Sequence, residues 1–149
     1  MEIMGLAIII ILVALAVLFA VSIMISREPS GIKKVFYHKK MADNTVYTLL
    51  ATTTECRFLS IEQLLADCAE GGVIECAEGD SCAYAGRLID DLLKETLGDW
   101  NINYHMAVDM PNMPDIEFGE KCLGERSSSE LYPIPSRAGQ LTARLEICS

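Results

Sequence analysis

The six cysteines, Cys56, Cys68, Cys76, Cys82, Cys122 and Cys148, carry the most reactive groups of this 149-residue chain. Thiolates bind metals, attack carbonyls, or pair into disulfides. None of the six stands in a Cys-x-x-Cys pair, and no Cys/His spacing matches a zinc signature. The two histidines, His38 and His105, are isolated. An even cysteine count in a small domain behind an apolar stretch reads as a disulfide framework in an oxidising compartment. Buried free thiols acting as small apolar residues are the plainer alternative. Spacing does not choose the pairing. A Cys56–Cys68 bridge across one short helix is geometrically possible, though the contact face of that helix could send Cys68 elsewhere. A Cys76–Cys82 bridge would close a small turn, and a Cys122–Cys148 bridge would tie down the chain end.

Other groups offer less. The acidic turn Glu78-Gly79-Asp80 lacks the alternating Asp/Asn and late Glu of a calcium loop, and reads as solvated. Asp90 and Asp91 are neighbours on a predicted helix. They diverge by about 100° and meet water rather than sharing a substrate. His105 falls on the more polar side of a predicted strand, with no nucleophile beside it, and is expected at the surface. There is no Gly-x-Ser-x-Gly elbow and no phosphate loop. These residues predict no enzyme activity, no cofactor and no metal.

The elements that hold these residues follow from periodicity. Ile32, Val35, Phe36, Val46, Leu49 and Leu50 predict a helix over about residues 32–52, with β-branched residues clouding its end. Ser60 and Gln63 form a capping-box pair before Ile61, Leu64, Leu65 and Cys68, and Gly71-Gly72 stop that helix. Leu88, Ile89, Leu92, Leu93 and Leu97 form another stripe with Gly98 as its C-terminal stop, and Trp100 is expected to pack beside it. Residues 102–109 alternate, with Tyr104, Met106 and Val108 on the apolar side. Residues 110–120 read as a loop holding a short strand near Ile116, and Ser127 to Ser129 as a flexible tip. Residues 141–147 form a closing strand with Leu141, Ala143, Leu145 and Ile147 inward. The body is therefore α+β, a small disulfide-stabilised head with helices packed on a short antiparallel sheet.

Charge divides the chain. Residues 27–40 hold five Lys/Arg against Glu28, a net of +4; residues 41–149 hold seven against nineteen Asp/Glu, a net of −12. An acidic body lacks the basic face that nucleic acid requires. The basic stretch reads as a collar beside an anionic membrane surface. Before it, residues 3–26 carry no charge. As a helix they would reach about 36 Å, enough for a hydrocarbon core of about 30 Å. The only early charge is Glu2, unlike the basic start of a secretory signal. Orientation brings a conflict: the basic flank points the body inward, while the cysteines point it outward. A short basic leader preceding Met1 and later removed would resolve it.

The run MEIMGLAIIIILVALAVLFAVSIMIS resembles the mature start of type IV pilin-like proteins, in the archaeal style. The resemblance covers about a sixth of the chain, and many bacterial pilins place the acidic residue at the fifth mature position instead of the second. It implies an extracellular filament whose core is made of these helices and whose outer surface is made of acidic heads. It implies copies of the same chain as partners, a membrane-inserted stage before assembly, and assembly roles for Glu2, Gly5, Ala14 and Phe19. The expected organisation is an assembly or transmembrane helix (1–26), a basic juxtamembrane segment with helical continuation (27–55) and a cysteine-rich extracytoplasmic head (56–149). The alternative is a single-pass anchored binding module of a secretion or pilus-assembly complex.

Overall fold

A computed structural model describes residues 2–26 and 30–148, with side chains described over residues 10–23 and 34–148. The chain forms two compact units, residues 1–34 and 35–149. The expected break at Glu28-Pro29 lies outside the described residues. Helix α1 (Glu2–Ser26) comes first, and α2 (Ser30–Ala51) follows.

Within the second unit α2 buries Ala42, Val46, Leu49 and Leu50, a stripe at helical spacing. Its threonine-rich end stays helical because Val46, Leu49 and Leu50 there are buried in the core, while the hydroxyls turn back along the helix. Thr48 Oγ1 donates to the Asn44 carbonyl and Thr52 Oγ1 to the Thr48 carbonyl, both at 2.8 Å. Helix α3 (Ile61–Ala69) starts where its residues demand. Ser60 Oγ accepts from the Gln63 N–H at 3.3 Å, and Gln63 Oε1 accepts from the Ser60 N–H at 3.0 Å. It stops in a Schellman motif: the Gly72 N–H reaches the Asp67 carbonyl and the Gly71 N–H the Cys68 carbonyl. Both glycines have positive φ, 112° and 65°.

A two-residue hairpin, β1 (Glu75–Cys76) with β2 (Gly79–Asp80), leads into α4 (Ser81–Leu93). Asp80 caps α4 by accepting from the Ala83 N–H at 2.8 Å. A π-helical turn (Lys94–Gly98) closes this helix. Gly98 is not its stop. The chain reverses at Asn101, whose φ is 55°, with the Ile102 N–H donating to the Leu97 carbonyl. Asn takes the left-handed region more easily than most residues, so it replaces the glycine expected there.

Five further strands form one antiparallel sheet: β3 (Tyr104–Asp109), β4 (Ile116–Gly119), β5 (Arg126–Ser128), β6 (Tyr132–Ser136) and β7 (Gly139–Cys148). Strand β3 is flanked by β4 and β7, while the other edge of β7 takes β6 and then β5. Tyr104, Met106 and Val108 point into the core with Leu141, Ala143, Leu145 and Ile147, as alternation predicts. The helical side supplies Leu50, Ile61, Leu64, Leu65, Ile89 and Leu93. Among the described residues the architecture is thus α+β: four α-helices, antiparallel sheets and disulfides.

Two sequence expectations for the sheet do not hold. Ser127 and Ser129 are buried rather than a flexible tip, because β5 pairs with the end of β7 and Ser129 Oγ accepts from the Leu145 N–H at 3.0 Å. Strand β6 was not anticipated, since Pro133 and Pro135 argue against a central strand; it lies on an edge of the sheet, where proline is tolerated.

Candidate functional site

All six cysteines are paired, as Cys56–Cys76, Cys68–Cys82 and Cys122–Cys148. The last is the expected tie of the terminal strand. Bridges Cys56–Cys68 and Cys76–Cys82 do not form. Cys56 lies before the turn that leads into the cap of α3, and Cys68 lies near the far end of that helix, about 12 Å along its axis from Ser60. Cys68 instead shares the buried face with Leu64 and Leu65, where α4 brings Cys82 to a Cα distance of 4.8 Å. Cys76 is left to hold Cys56, Cα to Cα 5.2 Å. The two bridges cross in sequence and bind the 52–60 loop, α3, the hairpin and α4 into one corner. Asp67 reinforces it, accepting from the Ile74 N–H at 2.9 Å and the Ser81 hydroxyl at 2.6 Å. With every thiol oxidised, thiolate chemistry is closed to these residues.

A cleft of about 520 Å³ opens beside this corner, edged by Thr52 to Thr54, Tyr84, Arg87 and Asp91. Its cation is already engaged: Arg87 Nη1 lies 3.2 Å from Glu78 Oε2, and Nη2 donates to the Glu78 carbonyl. Among the described residues no group of His, Cys, Asp and Glu could hold a metal ion. Asp90 is paired with Lys94, and that hydrogen bond raises the lysine above its ordinary value.

His105 departs from expectation. It is buried, 7 % exposed, although it lies on the polar side of β3. Strand β3 is central, and in register His105 faces Glu146 on β7 and Gly119 on β4. Glu117 Oε2 stands 3.8 Å from Nε2. Lys121 hydrogen-bonds Glu117 and holds that carboxyl below its usual range. Glu146, 5 % exposed, sits between Arg126 at 3.6 Å and Arg144 at 3.7 Å. Long charged side chains lie over the strand and cover the imidazole. Single-strand alternation cannot foresee that cover, because it comes from two other strands. Among the described residues His105 Nε2 has no hydrogen-bond partner, and no serine or thiol is bonded to it. The cluster is an ionic surface layer on the sheet.

No known family, curated protein or solved structure matches this chain.

The assembly residues expected from sequence lie on α1. The side chains of Glu2 and Gly5 fall outside the described ones. Ala14 and Phe19 are exposed, Phe19 at 68 %. From Ile10 to Ile23 the large apolar side chains are all exposed, between 46 % and 68 %. Described side chains here number fourteen, about 21 Å of helix. Among the described residues no helix is long and apolar enough to cross a membrane.

Proposed function

We propose that this chain is a structural subunit of an extracellular pilus-like filament, with α1 helices forming the core and acidic heads the outer surface. One observation carries the reading: residues 10–23 of α1 are uncharged, apolar but for Ser22, and exposed on all sides. A helix that is apolar all round is stable only when covered on every face, by lipid or by other helices. The resemblance of MEIMGLAIIIILVALAVLFAVSIMIS to pilin starts favours other copies of itself. The three disulfides support an oxidising, extracellular setting for the head. The basic residues that follow α1 support a stage inserted in an anionic membrane before assembly, with residues 1–26 as its long apolar anchor.

The same collar favours the second reading, a single-pass anchored module binding another component of a secretion or pilus-assembly complex. The two readings differ in what touches α1. Ala14→Glu places a charge in the middle of the apolar run. Insertion of one such charge costs only about 2.5–3.5 kcal/mol, so the chain still accumulates in membranes, whereas a charge repeated at every subunit of a helical core is expected to abolish filaments. Filaments unchanged by Ala14→Glu would contradict the core assignment.

A further inference from the structure

Helix α2 turns one side to the core with Ala42, Val46, Leu49 and Leu50, which leaves Tyr37, Lys40 and Asn44 on the opposite side. There a cleft of about 330 Å³ opens between Tyr37 and Trp100, with Lys40 and Met41 on its edge. Tyr37 is 66 % and Trp100 70 % exposed, although Trp100 was expected to pack at the end of α4. The Asn101 turn keeps it outside. Phe36, next to Tyr37 in the chain, is 70 % exposed. Lys40 is the only charged residue lining the cleft, and Asp99, the chain neighbour of Trp100, does not line it. Lys39 is taken by Glu130 at 3.3 Å, whereas Lys40 has no carboxylate partner among the described residues.

We infer that this face seats on an anionic membrane surface, with the Tyr37 and Trp100 rings in the headgroup layer and the Lys40 ammonium among lipid phosphates. Charge sets which side of the unit can meet such a surface. The cleft stands at the end of residues 27–40, which carry a net of +4, while residues 41–149 carry a net of −12. An anionic surface attracts the first and repels the second. The larger cleft shows the contrast: Glu55, Glu78 and Asp91 line it, and its one cation, Arg87, is engaged by Glu78.

Side-chain chemistry and chain length then favour lipid over the acidic head of another copy. Tyr and Trp carry an apolar body and a polar tip, which suits the boundary between hydrocarbon and water, and a lysine beside them can extend to the phosphates. Tyr37 follows Ser26, the end of the uncharged run, by eleven residues, a reach of at most about 40 Å even fully extended. Once residues 3–26 are inserted, the face is tethered to headgroups of its own bilayer at an effective concentration that a separate copy does not match. The inference deepens the membrane-inserted stage proposed above and rests on it for bringing the chain to a bilayer, though not for the choice of face.

Trp100 is the only tryptophan in the chain, so it reports this face and not α1. Full-length protein is reconstituted with vesicles of phosphatidylcholine alone, or of phosphatidylcholine and phosphatidylglycerol in equal parts. Flotation measures association of the chain with vesicles. The emission maximum of Trp100, and its quenching by acrylamide and by brominated lipid, measure the seat. With the mixed vesicles the emission is expected to shift to the blue, acrylamide quenching to fall and brominated lipid to quench. These changes should shrink in phosphatidylcholine alone and at high salt. Lys40→Glu should lower the ratio of covered to open Trp100 about ten-fold or more. Arg137→Glu makes the same charge change at an exposed position between β6 and β7, outside the cleft, and should leave the ratio unchanged. A chain that floats with mixed vesicles while Trp100 stays as open to acrylamide as in detergent overturns the seat and leaves the membrane stage standing. Trp100 closed to acrylamide yet untouched by brominated lipid shows another copy covering the face, and also overturns the seat. Equal loss with Lys40→Glu and Arg137→Glu overturns the choice of face. A chain that does not float contradicts the membrane stage itself, and the seat with it.

Discussion

Removing the Cys122–Cys148 bridge should cost the head much of its stability while leaving its native structure in place. The bridge closes a loop with a sequence separation of 26. Chain-entropy reasoning gives about 3.5 kcal/mol for a loop of that size. The unit of residues 35–149 would unfold with an entropy of about 240 cal/mol/K, so Cys122→Ala with Cys148→Ala should lower its melting temperature by about 14 °C. The native strand end keeps its backbone partners. The Cys148 N–H donates to the Asn103 carbonyl at 2.9 Å, and Cys148 stays opposite Arg126 of β5. The loss should therefore arise in the unfolded chain, which expands and exposes more surface, so the denaturant slope should rise as the midpoint falls. Thermal and guanidinium unfolding of the oxidised double variant beside the parent protein checks both quantities. A melting temperature lowered by less than about 3 °C with an unchanged slope would refute the reasoning, since that slope is the signature of a bridge constraining the denatured state.

Three more outcomes are expected. Ser60→Ala removes the capping box of α3 and should cost about 1 kcal/mol in equilibrium unfolding, while Ser60→Gly should cost only a few tenths. Gly119→Ala should be worse than either, because φ is +75° and a Cβ would strike the Tyr104 carbonyl; unfolding should show a loss above about 1–2 kcal/mol. Burial pushes the Tyr104 hydroxyl above its ordinary value, as does the charge of Asp90, and burial and then Glu62 do the same for Tyr132. A raised folded value means this contribution is complete below about pH 10 and is lost as pH rises through the folded value. Melting temperature should therefore decline above about pH 10, and Tyr104→Phe should flatten the decline.

Where the determining signal is local, the sequence was legible. Ser60, Gln63 and the Gly71-Gly72 pair start and stop α3 through bonds within a few residues, so the residues announce them. Alternation marked β3 and β7 because one side of each faces the core. Features set by distant partners were not legible. His105 is covered by side chains from β4 and β7, Ser127 is buried by β5 pairing with β7, and Cys68 is turned to Cys82 by the packing of α3 on α4. Pro133 and Pro135 disguised β6, whose place on a sheet edge depends on the whole sheet. Ala14 and Phe19, expected from the sequence as assembly residues, are exposed, and exposure alone does not assign them that role; that Phe58 and Trp100 are held outward depends on backbone turns at Arg57 and Asn101, which residue pattern does not show.

Electron microscopy of the purified protein separates a filament subunit from an anchored module. Filaments are expected, with a core density formed by a bundle of α1 helices surrounded by heads. A monodisperse particle in detergent that never polymerises as the detergent is removed would contradict the filament reading.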